Sequence, residues 1–133
     1  MMRSLAFGLV AVALTGCGEV VAPKDDGVCW LSQGRPDEPR FTPLARGVES
    51  LETCAVLLEA RRLQGQAQTN GAYQGYFIFV DANRITSATH ATGLRWPVLQ
   101  PPQRAAVDRD LQRMMKERGG HMPDATDLSV ERR

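Results

Sequence analysis

The 133-residue sequence has few of the residues from which metal and redox sites are built. It contains only two histidines, His90 and His121, and three cysteines. Neither histidine lies at zinc-ligand spacing from a cysteine, and no two cysteines form a Cys-x-x-Cys motif. No internal repeat is visible. These absences argue against a metal centre, a dithiol redox site and a repeat protein, and we expect no cofactor.

An excess of charge of one sign is also lacking. The chain has 16 Lys and Arg against 15 Asp and Glu. A nucleic-acid-binding domain normally carries a clustered basic excess, so we set nucleic acid aside as a partner. The apolar run at residues 5–14 is about half as long as a helix that crosses a bilayer, which argues against a transmembrane anchor.

The N-terminus instead has the pattern of a bacterial export signal. Arg3 supplies a positive charge, the apolar run follows, and Leu14-Thr15-Gly16-Cys17 comes directly after it. This tetrapeptide resembles the lipobox of bacterial lipoproteins. The resemblance implies that residues 1–16 are removed and that Cys17 becomes the N-terminus, lipidated by two or three acyl chains. The alternative is an ordinary secretory signal cleaved near residues 11–13, which leaves Cys17 as a third thiol.

The same resemblance implies a lipid-anchored protein of the cell envelope. Gly18 follows Cys17, at the position where inner-membrane lipoproteins of enteric bacteria have Asp. We therefore expect the outer membrane, facing the periplasm, in preference to the inner membrane. With Cys17 assigned to lipid, Cys29 and Cys54 remain in a compartment that permits disulfides, and we predict that they pair. A redox role for this pair is disfavoured by its wide spacing.

After the predicted signal at 1–16, we expect a tether at 17–27, a single α+β domain at 28–119 and a flexible tail at 120–133. The domain should contain two helices and a small antiparallel sheet of three to four strands, in the order β-α-β-β-β-α. The strands are predicted at 28–31, 73–80, 85–89 and 94–99, and 41–45 is a candidate for a brief edge strand. Segments 32–40 and 66–70 resemble a loop and a linker.

The first helix is predicted from an N-cap at Ser50 to a stop at Gly65, and the second at 103–118 with Pro102 in its first turn. Apolar residues recur at helical spacing in both. The remaining charged residues of the two helices are expected on their solvent faces; they are Glu59, Arg61 and Arg62 in the first and Arg104, Asp108, Arg109, Arg113, Lys116 and Glu117 in the second.

The strongest strand signal also suggests a binding surface. In residues 76–80, Phe77 and Phe79 alternate with Tyr76, Ile78 and Val80, so one set should face away from the helices. We therefore take Phe77 and Phe79, together with Tyr73 and Tyr76, as candidate partner-binding residues. The alternative is that segment 32–40 or the tail folds over this face.

Catalytic arrangements are less well supported. His90 could pair with Ser87 or Asp81, but a polar loop position between two strands explains it better. The carboxylate pairs Glu49/Glu52 and Asp108/Asp110 resemble ordinary helix-surface charge. The segment 71–76 combines glycine with tyrosine and could stack on a sugar, but it also fits a bulge or a tight entry into a strand.

The sequence therefore favours a non-enzymatic, lipid-anchored envelope protein of structural, assembly or protein-binding type, whose partners are the membrane and another envelope protein. Two alternatives stay open. One is a domain that binds or hydrolyses cell-wall glycan or peptide, and the other is an immunity or inhibitor lipoprotein.

Overall fold

The computed structural model describes residues 18–65 and 67–124. The predicted signal, Cys17 and residues 125–133 of the predicted tail lie outside these residues. In chain order the elements are β1 (Cys29–Arg35), β2 (Glu38–Ala45), α1 (Leu51–Gly65), β3 (Thr69–Tyr73), β4 (Tyr76–Val80), β5 (Ile85–Ala88), β6 (Trp96–Pro97) and α2 (Pro101–Glu117). The strands form one antiparallel sheet in the order β2-β1-β3-β4-β5-β6. This confirms the α+β class.

The predicted count of three to four strands was wrong, because the described residues contain six. Segment 32–40 is not a loop: β1 continues to Arg35, Pro36 and Asp37 form a turn, and β2 returns from Glu38. Its prolines suggested a loop, but Pro39 lies on β2, the edge strand, where a missing N–H costs no sheet hydrogen bond.

A second hairpin was also missed. Thr69 and Asn70, interpreted as linker, begin β3, and Gln74 and Gly75 form the turn into β4. Both turn residues have positive φ, 44° and 87°, which is the geometry of a two-residue type I′ hairpin turn. The predicted strand at 73–80 is therefore two strands. The predicted strand at 94–99 is reduced to β6, so the element order is ββαββββα.

Both helices begin near the predicted positions, for the predicted reasons. The Ser50 hydroxyl accepts the N–H of Thr53 at 3.1 Å, which caps α1. Two prolines open α2, and the Gln103 side chain accepts the N–H of Gln100 at 2.9 Å. Helix α1 lies on one face of the sheet and α2 packs against α1, so the main core lies between α1 and the sheet.

The predicted disulfide between Cys29 and Cys54 is confirmed, with an S–S distance of 2.00 Å, and it joins β1 to α1. Nearby, Gly71 allows the helix to approach the sheet closely. A Cβ at this position would lie 2.2 Å from the carbonyl oxygen of Trp30 and 2.7 Å from Leu58 Cδ1. Only glycine leaves room for the fully buried Leu58 at this point of the sheet.

The opposite face of the sheet is covered by the chain that follows Cys17, which we call the N-terminal segment (residues 18–27). Ala22 is buried, and the carbonyl of Pro23 accepts the N–H of Gly75 at 2.8 Å. Gly27 is held in turn, since its carbonyl accepts the N–H of Val48 at 2.9 Å. The segment interpreted as a tether therefore packs on the sheet over much of its described length.

Candidate functional site

The candidate partner-binding residues fall on both faces of the sheet. Tyr73 is buried in the main core, its hydroxyl donates to the carbonyl of Val48 at 2.7 Å, and burial raises the pKa of its phenol. Tyr76, the first residue of β4, lies on the same face of the sheet as Tyr73 and is exposed. Phe77 and Phe79 point to the opposite face, where Phe77 is buried and Phe79 is half-buried. The four residues therefore do not form one surface.

The side chains around Phe77 make a small second core. Its buried members are Ala22, Ala72 and Phe77, with Val20, Trp30, Phe41, Phe79 and Ala91 partly buried beside them. The ring centroids of Phe41 and Phe79 lie 6.4 Å and 6.3 Å from that of Phe77. Val20 and Ala22 of the N-terminal segment complete this cluster. The sequence instead suggested segment 32–40 or the tail as the part of the chain that would cover this face of the sheet. Phe77 therefore contributes to packing and is not available to a partner.

The residues considered for hydrolysis have separate partners. His90 is exposed, and its Nδ1 lies 3.0 Å from Glu19 Oε1. Ser87 is buried and donates to the carbonyl of Phe77 at 2.9 Å. Asp81 uses its Oδ1 to accept the N–H groups of the β4–β5 turn, at 2.7 and 2.8 Å. The structure brings none of these three side chains into a catalytic arrangement with another.

The carboxylate pairs are not assembled either. Asp110 forms an exposed ion pair with Arg113 at 3.1 Å, whereas Asp108 turns towards the helix interface. Within residues 18–65 and 67–124, no group of three or more His, Cys, Asp or Glu side chains is arranged to hold a metal ion.

An unpredicted cluster of charged residues lies between the two helices. Glu59 of α1 is fully buried, although its position had suggested the solvent face. Its carboxylate accepts hydrogen bonds from Arg62 Nε and Nη2 at 2.9 and 2.7 Å, and from Arg104 Nη2 at 3.1 Å to each oxygen. Arg104 Nε also lies 3.7 Å from Asp108 Oδ2. We call these four residues the buried charge cluster.

The pKa values of the two carboxyl groups in this cluster are shifted in opposite directions. Burial would raise the pKa of Glu59, but hydrogen bonds from Arg62, Asp108 and Arg104 outweigh it and hold that pKa below its ordinary value. Burial and the hydrogen bond with Glu59 raise the pKa of Asp108 to about 6. The two carboxyl groups share the same arginines, so as the pH falls a proton binds Asp108 before Glu59.

Arg104 connects the cluster to a cleft on the protein surface. Its Nη2 also donates to the carbonyl of Asp81, which ties α2 to the end of β4. The cleft has a volume of about 710 Å³ and lies between the β4–β5 turn, β6 and the start of α2. It is lined by Asp81, Asn83, Arg84, Ile85, Thr86, Arg95, Pro97, Leu99, Gln100, Pro101 and Arg104. We call it the arginine cleft.

The charges that line the arginine cleft are unbalanced. Arg84, Arg95 and Arg104 are cationic, and Asp81 is the only acidic lining residue. Its carboxylate is already occupied by the turn: the hydrogen bond from the N–H of Asn83, helped by that of Arg84, lowers its pKa. Arg84 and Arg95 are exposed and form no ion pair within the part of the chain that the structure describes.

The three arginines differ in mobility and therefore in role. Arg104 is fixed by Glu59 and a carbonyl, so its position is set before any ligand arrives. The guanidinium carbon of Arg95 lies 3.6 Å from the centroid of the Phe79 ring, a cation–π contact that holds it over the sheet. Arg84 follows the turn and is exposed, without an ion pair in the described part of the chain. Planar guanidinium groups bind carboxylates in a bidentate manner, so the cleft is suited to carboxylate recognition.

The start of α2 adds little to this binding capacity. Its first two residues, Pro101 and Pro102, have no N–H, and the side chain of Gln103 is bonded to the N–H of Gln100. An anion in the cleft would therefore be held by guanidinium groups and not by the end of the helix. No local pattern in the sequence indicates this convergence, because β6 and the β4–β5 turn are brought together only by strand pairing in the sheet.

Neither helix in the described part of the chain has both the length and the apolar content needed to cross a membrane. Comparisons with protein-family models, with curated proteins and with solved structures find no significant match to this chain.

Proposed function

We propose that this protein is a lipid-anchored component of the bacterial cell envelope that binds an acidic segment of another envelope protein in the arginine cleft. The observation that carries the proposal is the charge of the cleft: Arg84 and Arg95 line it without an ion pair in the described part of the chain, and its one carboxylate is occupied by backbone N–H groups. In this proposal the protein acts in structure or assembly and not as an enzyme.

The shape of the cleft supports a peptide ligand. Its volume of about 710 Å³ lies within the usual range for ligand sites, and Ile85, Pro97 and Leu99 supply apolar wall between the arginines. A peptide with alternating acidic and aliphatic side chains would complement both features.

The position of the cleft also supports the proposal. The N-terminal segment contacts Gly75, just before β4 begins, whereas Asp81 of the cleft follows the end of β4. A strand of this length spans on the order of 15 Å. An anchor on Cys17, as the lipobox pattern predicts, would therefore attach away from the β4–β5 turn, which forms one side of the cleft.

The proposal is tested by site-specific photo-crosslinking in cells. A photoreactive amino acid replaces Asn83, an exposed residue of the cleft, in the full-length lipoprotein; a second protein carries it at Gln33, which is exposed on β1. We expect a protein adduct at position 83 only. The adduct should disappear when Arg84→Glu and Arg95→Glu are introduced together.

The matched control is the double change Arg40→Glu and Arg46→Glu, which alters the charge equally near the other edge of the sheet. It should leave the adduct intact, and circular dichroism should show that all variants fold. An adduct that survives reversal at Arg84 and Arg95, or no adduct at position 83, would contradict the proposal. An adduct released by cell-wall hydrolases would instead support the binding of cell-wall peptide.

A further inference from the structure

The N-terminal segment fixes where the membrane anchor meets the folded domain. Glu19, two positions after Cys17, contacts His90 at 3.0 Å, and Val20 and Ala22 pack on the second core with Ala91. Two residues of extended chain reach at most about 7 Å. A lipid on residue 17 would therefore lie beside the connection between β5 and β6, at residues 89–95.

Exposed hydrophobic side chains are concentrated in the same place. Among the described residues, the large hydrophobic side chains that are strongly exposed are Val21, Tyr76, Leu94 and Trp96. Val21 belongs to the N-terminal segment. Leu94 and Trp96 follow the loop after β5, which this segment contacts through Glu19 and His90. Leu94 is 89% exposed, and it immediately precedes Arg95 and Trp96. An exposed leucine at the tip of a polar loop has no evident role in folding the domain.

These side chains have the chemistry of a membrane interface. Tryptophan and arginine favour the headgroup region, and leucine and valine favour the acyl chains below it. We propose that Val21, Leu94 and Trp96 form a patch that lies on the lipid bilayer and fixes the orientation of the domain beside its anchor. This inference rests on the proposed lipid anchor, and it adds a second contact with the same membrane.

The charges near the patch indicate how it would bind. Glu19 and His90 face each other, and the acidic residues Asp25 and Asp26 follow Lys24 within the N-terminal segment. There is thus no cluster of cations in the segment that would require anionic lipid. The patch should enter zwitterionic bilayers through apolar contact. Arg95 lies between Leu94 and Trp96 and also lines the arginine cleft, so the cleft would open beside the membrane surface.

The orientation is tested on the full-length lipidated protein reconstituted in phosphatidylcholine vesicles, with lipids brominated on the acyl chain as tryptophan quenchers. The chain has two tryptophans: Trp96 in the patch and Trp30 in the second core. We expect strong quenching of the native protein and its loss in Trp96→Phe, which retains Trp30. Leu94→Ser should also reduce the quenching of Trp96, whereas Arg40→Ser, on the edge strand β2 farthest from β6, should leave it unchanged.

Separate outcomes distinguish this inference from the proposed anchor. Metabolic labelling with an alkyne fatty acid first establishes whether Cys17 carries lipid, with Cys17→Ser as the negative control. Labelled protein whose Trp96 is not quenched would overturn the membrane patch and leave the anchor in place. Absence of labelling would overturn the anchor, and the patch with it. Because Leu94 is almost fully exposed, its replacement leaves the fold intact, which circular dichroism checks.

Discussion

Replacing Glu59 with glutamine should destabilise the domain more than the loss of any surface ion pair. The Glu59 carboxylate is fully buried and accepts four charge-assisted hydrogen bonds from Arg62 and Arg104. Removal of one partner from a buried ion pair typically costs about 3–5 kcal/mol, because the other charge stays buried without compensation. Asp108 remains beside Arg104 and partly compensates its charge, so we expect about 3 kcal/mol.

The assay is urea unfolding at neutral pH, followed by circular dichroism, with an unchanged m-value as evidence that the transition remains two-state. Asp37→Asn provides the matched control. It removes an ion pair with Arg35 at 2.9 Å whose two side chains are 67% and 77% exposed, and such pairs contribute at most about 1 kcal/mol. If Glu59→Gln cost no more than Asp37→Asn, the buried charge cluster would not stabilise the helix interface.

A double change separates the loss of the pair from the penalty for an isolated charge. Glu59→Leu with Arg104→Met removes both buried charges and keeps a similar volume. Apolar replacements of buried ion pairs are often neutral or stabilising. We therefore expect the double variant to be more stable than Glu59→Gln, with Arg62, which is 14% exposed, turning its head group towards water.

Further predictions concern pH, the disulfide and the closest packing. The pKa of Asp108 is raised to about 6 from an ordinary 3.8, so between these pH values the folded chain keeps a proton that the unfolded chain has released. The free energy of unfolding should therefore fall by about 1–3 kcal/mol as the pH rises from about 4 to 6. In urea unfolding, Asp108→Asn should show a smaller fall over the same pH range. Replacing Cys29 and Cys54 with alanine reopens a loop of 25 residues and should cost about 3.5 kcal/mol in the same assay, whereas an equal midpoint would mean that the bridge adds nothing. Gly71→Ala places a methyl group against backbone and should lower stability by about 3 kcal/mol, and a cost below about 1 kcal/mol would show that the sheet can yield there.

Local signals in the sequence were sufficient for the helices and the disulfide. Ser50 and Gly65 bound α1 as expected, and the proline pair at 101–102 lies at the start of α2. The return strand at Ile85 was also recognised, because an alternating pattern follows a turn. These features depend on residues close together in the chain, or on the small number of ways to pair the cysteines that remain.

Other features could not be predicted, because they depend on partners far away in the chain. Glu59 resembled a solvent-exposed helix residue until Arg104, 45 residues later, brought it a second cation. The arginine cleft could not be predicted for a similar reason, because its lining residues come together only when β6 pairs with β5. The prolines of β2 suggested a loop, because a one-dimensional pattern does not reveal which strand will be at the edge.

If Cys17 carries the proposed lipid, the N-terminal segment links the membrane attachment of this molecule to its solubility. Residues 20–23 cover Phe77, and they are also the chain through which a lipid on Cys17 would hold the domain. A protease that cuts within residues 24–27 would separate the cover from the domain together with the anchor, because so short a peptide has little affinity of its own. The shed domain would enter the periplasm with Trp30, Phe41 and Phe77 uncovered. Shedding would therefore leave apolar side chains open to self-association.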